Sequence, residues 1–237
     1  MSDGPGPGPT QAQILTGTAT YTRQVLSLYD ILVLGIICRR VWRCDRAEML
    51  AGYDRNIGER HLDLGPGTGF FLDRCHHRSA RPRIALVDLN PVVLRKAAAR
   101  LRRFEPLAYQ RDVLSPFELG EEGERAGKDG HEGEKYDSAG LNFLLHCLPG
   151  GMAHKARVFD HVRAHVVPGG RIFGSTVLTE GVPHSGRAYK MLDSLNEKGT
   201  FDNRDDSLSG LETELSSRFT DYRLTVRGSV ALFEATA

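Results

Sequence analysis

Cysteine is scarce in this sequence, and its spacing argues against two common kinds of site. The chain of 237 residues has four cysteines, and none of them forms a C-x-x-C pair; they are Cys38, Cys44, Cys75 and Cys147. A structural zinc site takes its ligands at close, regular spacing, and a small disulfide-bonded domain needs a denser set of cysteines. We therefore expect no bound metal, no disulfide framework and a reducing compartment, the cytoplasm.

The sequence also lacks a dominant charge and a long apolar run. With 31 basic and 30 acidic residues, its net charge is +1, so no broad basic surface points to a nucleic-acid partner. The longest apolar run spans residues 31–38. A helix needs about 20 apolar residues to cross a bilayer, so we expect no membrane span.

The opening of the chain lacks the apolar stretch of a signal peptide. Residues 1–18 are rich in glycine and proline, and we interpret them as a disordered tail. The remaining chain, 19–237, suits one large domain, because apolar residues make up 40% and charged residues 26% of the sequence. No internal repeat is found, and both a monomer and a homodimer are compatible with this composition.

A glycine-rich turn provides the first candidate binding site. The alternating residues 61–64 predict a short strand, Gly65, Gly67 and Gly69 follow, and the apolar run 70–72 opens a helix. Glycine lets a ligand approach the backbone closely, and a helix start offers unpaired N–H groups with a positive dipole end. The G-x-G-x-G spacing differs from the G-x-G-x-x-G of dinucleotide-binding turns. The turn alone is therefore a weak signal.

Acidic and amide side chains follow the next predicted strands. Asp88 ends the apolar segment 84–87, Asp112 follows a third strand, and Asn142 follows a fourth. A carboxylate after the second strand can accept hydrogen bonds from both ribose hydroxyls. Because the carboxyl ends of parallel strands lie at one edge of a sheet, we expect one ligand to contact all of these groups.

Strand and helix patterns alternate along the chain, which is typical of a doubly wound α/β fold with a mostly parallel sheet. Two final strands flank Gly228 and Ser229, a two-residue connection suited to a hairpin. We predict strands at 60–64, 83–88, 107–110, 136–141, 171–178, 222–227 and 230–236. We predict helices at 70–77, 91–103, 151–165, 185–198 and 208–217, with two or three helical pieces within 21–51.

The glycine turn, Asp88, the block around Asp112, the strand ending at Asn142 and the turn 168–170 together resemble the class I S-adenosylmethionine-dependent methyltransferases. The resemblance covers roughly residues 20–237. It implies a Rossmann-like sheet of seven strands whose last strand is antiparallel, with S-adenosylmethionine as cofactor. The expected cofactor-binding residues are Asp63, Gly65, Gly67, Gly69, Asp88, Leu89, Asp112, Val113 and Asn142.

The resemblance also assigns roles within this set. Gly65 and Gly67 would line the methionine part, Asp88 would bind the ribose, and Asp112 with Val113 would flank the adenine. Asp63 would orient the amino group or brace the turn. Plainer roles stay open, because Asp63 can accept a hydrogen bond from a loop N–H and Asp112 can be a helix cap ahead of Leu114.

The N-terminal region resembles the quinone C-methyltransferase branch of the same superfamily. Tyr29 with Asp30, and Trp42 with its flanking arginines, match the elements that cover the cofactor in that branch. We therefore interpret 19–58 as a helical cap and Tyr29 as a cofactor contact. Tyr29 and Trp42 are equally compatible with ordinary helix packing.

Two further segments and two histidines complete the expectations for the site. The Gly- and Glu-rich residues 118–135 predict a mobile insertion, and 179–218 predicts helices on the substrate side, where Tyr189, Leu192 and Phe201 offer an apolar wall. His146, and after it His184, are the candidate general bases for a hydroxyl acceptor. Packing or loop roles for both histidines stay open.

The function predicted from these features is methyl transfer to a small, partly apolar molecule in specialised metabolism, with no metal required. One alternative keeps the fold and the cofactor but catalyses a cyclisation or isomerisation. Another is a nucleotide-binding module without catalysis. The sequence leaves open whether oxygen, nitrogen or carbon accepts the methyl group.

Overall fold

A computed structural model describes residues 32–120 and 135–237 of the chain. The predicted tail 1–18, the cofactor contact Tyr29 and most of the predicted insertion 118–135 lie outside the described residues. The described part begins with a π-helical turn, Leu32–Ile37, which continues into the short helix α1, Cys38–Arg40.

Seven strands form one mixed sheet in the order β3-β2-β1-β4-β5-β7-β6. All neighbours from β3 to β5 are parallel, whereas β7 runs antiparallel to both β5 and β6. This confirms the predicted fold class. The strands are β1 (Arg60–Leu64), β2 (Arg83–Asp88), β3 (Leu107–Gln110), β4 (Tyr136–Asn142), β5 (Val166–Val177), β6 (Tyr222–Arg227) and β7 (Val230–Thr236).

Helices cover both faces of this sheet. They are α2 (Arg46–Asn56), α3 (Phe70–Arg74), α4 (Pro91–Arg100), α5 (Met152–Lys155), α6 (Arg157–Ala164), α7 (Gly186–Glu197) and α8 (Leu208–Arg218). Successive strand residues point to opposite faces, so Leu62 and Leu64 pack toward α6 and α8. Ile84 and Leu86 belong to the apolar cluster on the other face, with α2, α4 and α7.

The helices differ from the sequence prediction at three places. The predicted helix 91–103 ends at Arg100, and a 3₁₀ turn, Arg102–Phe104, follows it. The predicted helix 70–77 ends at Arg74, where Cys75 adopts an extended conformation. The predicted helix 151–165 is divided into α5 and α6 at Ala156. The predicted start of α4 is confirmed, because Asn90 accepts a hydrogen bond from the Val92 N–H and Pro91 occupies the first helical position.

Strand β5 also begins earlier than predicted. Residues 168–170 were expected to turn ahead of a strand starting at Arg171, but β5 already starts at Val166. Its register with β4 jumps from the pair Tyr136–Val166 to the pair Ser138–Arg171. The Pro-Gly-Gly turn therefore bulges out within a strand instead of preceding it.

The hairpin between β6 and β7 fixes an earlier part of the chain. Arg227 pairs with Val230, which leaves the predicted two-residue loop of Gly228 and Ser229. The Ser229 N–H donates to the Trp42 carbonyl at 2.8 Å. A Cβ at Gly228 would lie 2.0 Å from that carbonyl oxygen, so only glycine permits this contact. The loop thus holds the segment that joins α1 to α2.

No helix among residues 32–120 and 135–237 is long and apolar enough to cross a membrane.

Candidate active site

A cavity of about 440 Å³ opens at the carboxyl ends of β1, β2 and β4. Its walls include every predicted cofactor-binding residue of the described chain except Gly69. The segment after β3, the segment after β4 and residues 199–202 close its other sides. The topology brings these groups together because the parallel strands all end at one edge of the sheet.

The glycines of the turn have different surroundings. Gly65, Gly67 and Gly69 all have positive φ angles, of 65°, 56° and 73°. A Cβ at Gly67 would meet nothing within 4 Å, because this residue borders the cavity. A Cβ at Gly69 would lie 3.3 Å from Cα of Ala97 in α4. Gly69 therefore serves close packing at the start of α3, whereas Gly67 leaves room for a ligand.

Asp88 lies at the end of β2 on the cavity wall. Its Oδ1 accepts the Asn90 N–H at 2.7 Å. Burial raises the pKa of this carboxyl to about 7, although the backbone N–H groups of Asn90 and Leu89 lower it. The Asp88 carboxyl borders the cavity, where a hydrogen bond from a ligand hydroxyl can stabilise its ionised form.

Asp112 and Val113 border the cavity in the segment after β3. Asp112 Oδ1 accepts the Leu114 N–H at 2.9 Å, and its Oδ2 lies 3.4 Å from the Ser115 hydroxyl. Asp112 therefore caps a turn, and the helix that the sequence left open after it is absent from 113–120. This capping leaves lone pairs of the carboxylate for a ligand on the cavity side.

Asp63 is buried between two donors. Its Oδ2 accepts the Tyr53 hydroxyl at 2.6 Å and lies 3.2 Å from His61 Nε2. Tyr53, on α2, borders the cavity together with Asp63. Burial and the neighbouring Asp63 carboxylate raise the pKa of Tyr53 well above its usual value, so the hydroxyl stays a donor.

Asn142 ends β4 beside this pair. Its Oδ1 accepts the Ser175 hydroxyl at 2.9 Å. Its Nδ2 is buried and has no hydrogen-bond partner among the described residues, although the amide lies close enough to Tyr53 to influence its pKa. A buried amide donor without a partner in the protein marks a place for a ligand acceptor.

Phe143 follows with a left-handed backbone, at a φ angle of 56°. Its N–H donates to the Ser175 carbonyl at 2.8 Å, which keeps the chain beside β5. A bulky residue is uncommon in this conformation, and such strain is concentrated at functional sites. The result is an aromatic side chain at the cavity wall just after Asn142.

Apolar residues also line the cavity. Leu144, Leu148 and Phe201 border the cavity with Phe143, and Asp202 lies beside them. Of the predicted apolar wall within 179–218, only Phe201 reaches the cavity. Tyr189 is 54% exposed on the surface, and Leu192 is buried in the cluster between α7 and the sheet.

The hydrogen bonds of His146 do not support the predicted role as a general base. Its Nδ1 accepts the Val177 N–H at 3.1 Å, so the neutral ring carries its proton on Nε2 and has no free lone pair. Burial, with a smaller contribution from the Lys155 charge, lowers its pKa to about 3. The ring packs against Phe201 at 4.2 Å between centroids and does not border the cavity.

His184 also lies away from the cavity. Its Nε2 lies 2.9 Å from the Thr179 carbonyl, which fixes the ring proton on this nitrogen. Its Nδ1 is buried without a partner among the described residues. These contacts give His184 a loop position and no access to a ligand in the cavity.

The cavity wall also contains residues that were not predicted as site residues, among them Tyr53, Phe143 and Asp202. Tyr53 carried no signal beyond an apolar position on a helix. The only sequence signal for Phe143 and Asp202 was that each directly follows a predicted residue, Asn142 and Phe201. No cluster of histidine, cysteine or acidic side chains that could hold a metal occurs in the part of the chain that the structure describes.

Comparison with known proteins agrees with this architecture. Residues 62–172 match a family model described as a methyltransferase domain. The chain is 37% identical over 223 residues to demethylluteothin O-methyltransferase of Streptomyces thioluteus, covering 94% of this chain and 92% of that protein. It is 34% identical over 220 residues to the physcion biosynthesis cluster O-methyltransferase of Aspergillus chevalieri, covering 92% and 94%.

The fold has a close counterpart among solved structures. The DhpI–SAH complex superimposes with a TM-score of 0.61 at 15% identity, covering 97% of this chain and 98% of the other. The two sequence relatives span nearly the whole chain at more than 30% identity. This chain therefore belongs to the class I S-adenosylmethionine-dependent methyltransferases, the family that its glycine turn and strand-end residues resemble.

Proposed function

We propose that the protein methylates a hydroxyl oxygen of a small, largely apolar and planar molecule of specialised metabolism. The observation that carries this proposal is one continuous cavity whose walls combine the polar groups at the strand ends with the aromatic rings of Phe143 and Phe201. The names of both sequence relatives, which are O-methyltransferases, support oxygen as the acceptor atom.

The residues present fit S-adenosylmethionine. Gly67 leaves the turn open for close approach, Asp88 offers a carboxylate for the ribose diol, and the buried Asn142 amide lacks an acceptor. Leu89, Asp112 and Val113 border the same side of the cavity and would hold the nucleoside. Polar groups on different strands, Asp88 on β2 and Asn142 on β4, match a ligand with a nucleoside at one end and an amino acid at the other.

Asp63 and Asn142 would bind the amino-acid end of the cofactor. They lie on neighbouring parallel strands, since Asp63 pairs with Gly140 of β4 and Asn142 is two residues farther along. Asp63 offers an acceptor for an ammonium group, and the Asn142 amide offers a donor for a carboxylate. The pair is thus complementary to a zwitterion.

When bound, S-adenosylmethionine supplies an electrophilic methyl group on a positively charged sulfur. The contribution of the chain is to hold the acceptor in line and to exclude water, which Phe143, Leu148 and Phe201 do through their apolar surfaces. The acceptor proton needs a base on this side of the cavity. Asp202 has the required carboxylate there, whereas Asp63, Asp88 and Asp112 lie at the strand ends.

Incubation with methyl-labelled S-adenosylmethionine and a set of hydroxylated polycyclic aromatics tests the proposal. We expect label on an aromatic hydroxyl oxygen, with one S-adenosylhomocysteine formed for each product. The matched controls are the amino and deoxy analogues of each aromatic, which should stay unlabelled. Transfer to nitrogen or carbon would contradict the acceptor assignment. Conversion of the aromatic without consumption of the cofactor would instead favour the isomerase or cyclase alternative.

A further inference from the structure

We propose that Tyr53 and His61 are positioning residues that hold Asp63 by one carboxylate oxygen and so present the other to the ammonium group of the cofactor. The inference rests on the proposed role of Asp63, and it adds two residues whose polar groups bind this carboxylate. It also explains why a tyrosine of α2 takes part in a site otherwise built from strand ends.

Both donors bind the same oxygen of Asp63. The Tyr53 hydroxyl is 2.6 Å and His61 Nε2 is 3.2 Å from Oδ2. Oδ1 accepts no hydrogen bond from the described residues, and Asp63 borders the cavity. The second oxygen is therefore available to a ligand.

A chain of donors fixes the orientation of His61. The Gly58 N–H donates to Ser138 Oγ at 2.8 Å, and Ser138 Oγ lies 2.8 Å from His61 Nδ1. Since the serine oxygen already accepts a hydrogen bond, its own proton is available for Nδ1, which leaves the ring proton on Nε2 facing Asp63. The imidazole thus donates from Nε2 to Asp63.

The neighbouring strand leaves space for this arrangement. A Cβ at Gly140 of β4 would lie 2.9 Å from Asp63 Oδ2 and 3.2 Å from His61 Nε2. Any larger residue there would displace the carboxylate or the ring. Gly140 therefore helps to keep Asp63 and His61 in place, although it does not border the cavity.

Among the described residues, His61 is the one basic side chain at ion-pair distance from Asp63. Asp63 is 2% exposed, Tyr53 is 2% exposed and His61 is 0% exposed. Cys75, which also interacts electrostatically with Asp63, is neutral because burial raises its pKa to about 12. A buried carboxylate with one oxygen unoccupied by the described residues is poised for a cationic ligand group.

Tyr53 is fixed by packing as well as by its hydroxyl. Its ring stacks on Phe71 at 5.7 Å and meets Phe173 edge-on at 5.0 Å between centroids. Tyr53→Phe therefore removes the donor while keeping the aromatic ring and its contacts. This makes it the cleanest variant for testing the role.

Calorimetry with two ligands tests the inference without knowledge of the acceptor. S-adenosylhomocysteine carries the amino-acid group, whereas 5′-methylthioadenosine has the same nucleoside and sulfur without it. We expect Tyr53→Phe to weaken binding of S-adenosylhomocysteine about 10-fold and to leave binding of methylthioadenosine unchanged. Ser138→Ala, which removes the donor to His61 together with the acceptor of the Gly58 N–H, should show the same selectivity with a smaller loss.

Tyr222→Phe, at the outer edge of the sheet, is the matched control and should alter neither affinity. An equal loss for both ligands in Tyr53→Phe would reveal a merely structural role and overturn the inference, as would no loss for either. If the unmodified protein bound both ligands equally, Asp63 would not bind the ammonium group, although cofactor binding itself would stand. If it bound neither, the proposed function would fall together with the inference.

Discussion

Replacing Asp88 with asparagine is expected to weaken binding of S-adenosylhomocysteine by roughly 30- to 100-fold at pH 8. The loss corresponds to about 2–3 kcal/mol, because hydrogen bonds from the ribose hydroxyls to a charged acceptor are among the strong ones. Asparagine keeps an oxygen for the Asn90 N–H, which now binds Asp88 Oδ1 at 2.7 Å. The local turn should therefore survive, and calorimetry measures the ligand affinity alone.

The pH dependence of binding should identify the same carboxyl. Burial raises the pKa of Asp88 to about 7, and hydroxyl donors stabilise only its ionised form. Affinity should therefore be constant above this pH and fall about tenfold per pH unit below it. The Asp88→Asn variant should lose this slope. An equal slope in the variant would place the titrating group elsewhere.

Asp88→Asn, although it weakens ligand binding, should raise the free energy of unfolding of the cofactor-free protein at pH 8. An acid whose pKa is raised by folding binds its proton more tightly in the folded state, so its ionisation above pH 7 costs stability in the cofactor-free protein. Asp88→Asn removes that cost. We expect a higher melting temperature than wild type at pH 8 and little difference near pH 4, as measured by thermal unfolding. A lower melting temperature at pH 8 would contradict the assigned cause.

Replacing Lys155 with methionine should destabilise the protein by about 3–5 kcal/mol, the usual cost of leaving one member of a buried ion pair unpaired. Lys155 Nζ lies 2.7 Å from Asp206 Oδ2, with the two side chains 0% and 1% exposed. Nζ also donates to the Asp202 carbonyl at 2.5 Å. Urea unfolding measures the loss, which is a large fraction of the roughly 5–15 kcal/mol of total stability of a typical domain.

Two further variants control for this effect. Lys155→Met combined with Asp206→Leu removes both charges, and should recover much of the stability because no buried charge is left unpaired. Arg204→Met, on the same loop, breaks a pair of Arg204 and Asp193 that is 55% and 70% exposed at 3.8 Å. It should change the unfolding free energy by less than about 1 kcal/mol. A loss in Arg204→Met as large as that in Lys155→Met would show that burial is not the cause.

The sequence predicted those parts of the molecule that depend on local chain signals. The glycines at 65–69, Asp88 and Asn90 with Pro91 each lie at a strand or helix end whose chemistry is set by its near neighbours. The alternation of strands and helices then sufficed for the order of elements. The cavity at the strand ends followed from topology, because parallel strands place their carboxyl ends together.

Other features depend on partners that are distant in the sequence. Tyr53 reads as one more apolar helix position until α2 packs beside Asp63. Lys155 reads as a solvated lysine, but the helix breaks after it and its charge meets Asp206 from a loop far along the chain. His146 has a side chain that could act as a general base, yet its acceptor nitrogen already accepts the Val177 N–H. Tertiary contacts, which no local pattern encodes, decide each of these.

The contact between Gly228, Ser229 and Trp42 has a consequence for biosynthesis. The Trp42 carbonyl receives its hydrogen bond from Ser229, which lies in the last hairpin of the sheet. During translation, strands β1 to β4 emerge and can pair long before that hairpin leaves the ribosome. The segment ahead of α2 therefore gains this hydrogen bond only after the final strands are made. Nascent chains stalled before residue 228 should leave the segment more open to proteolysis.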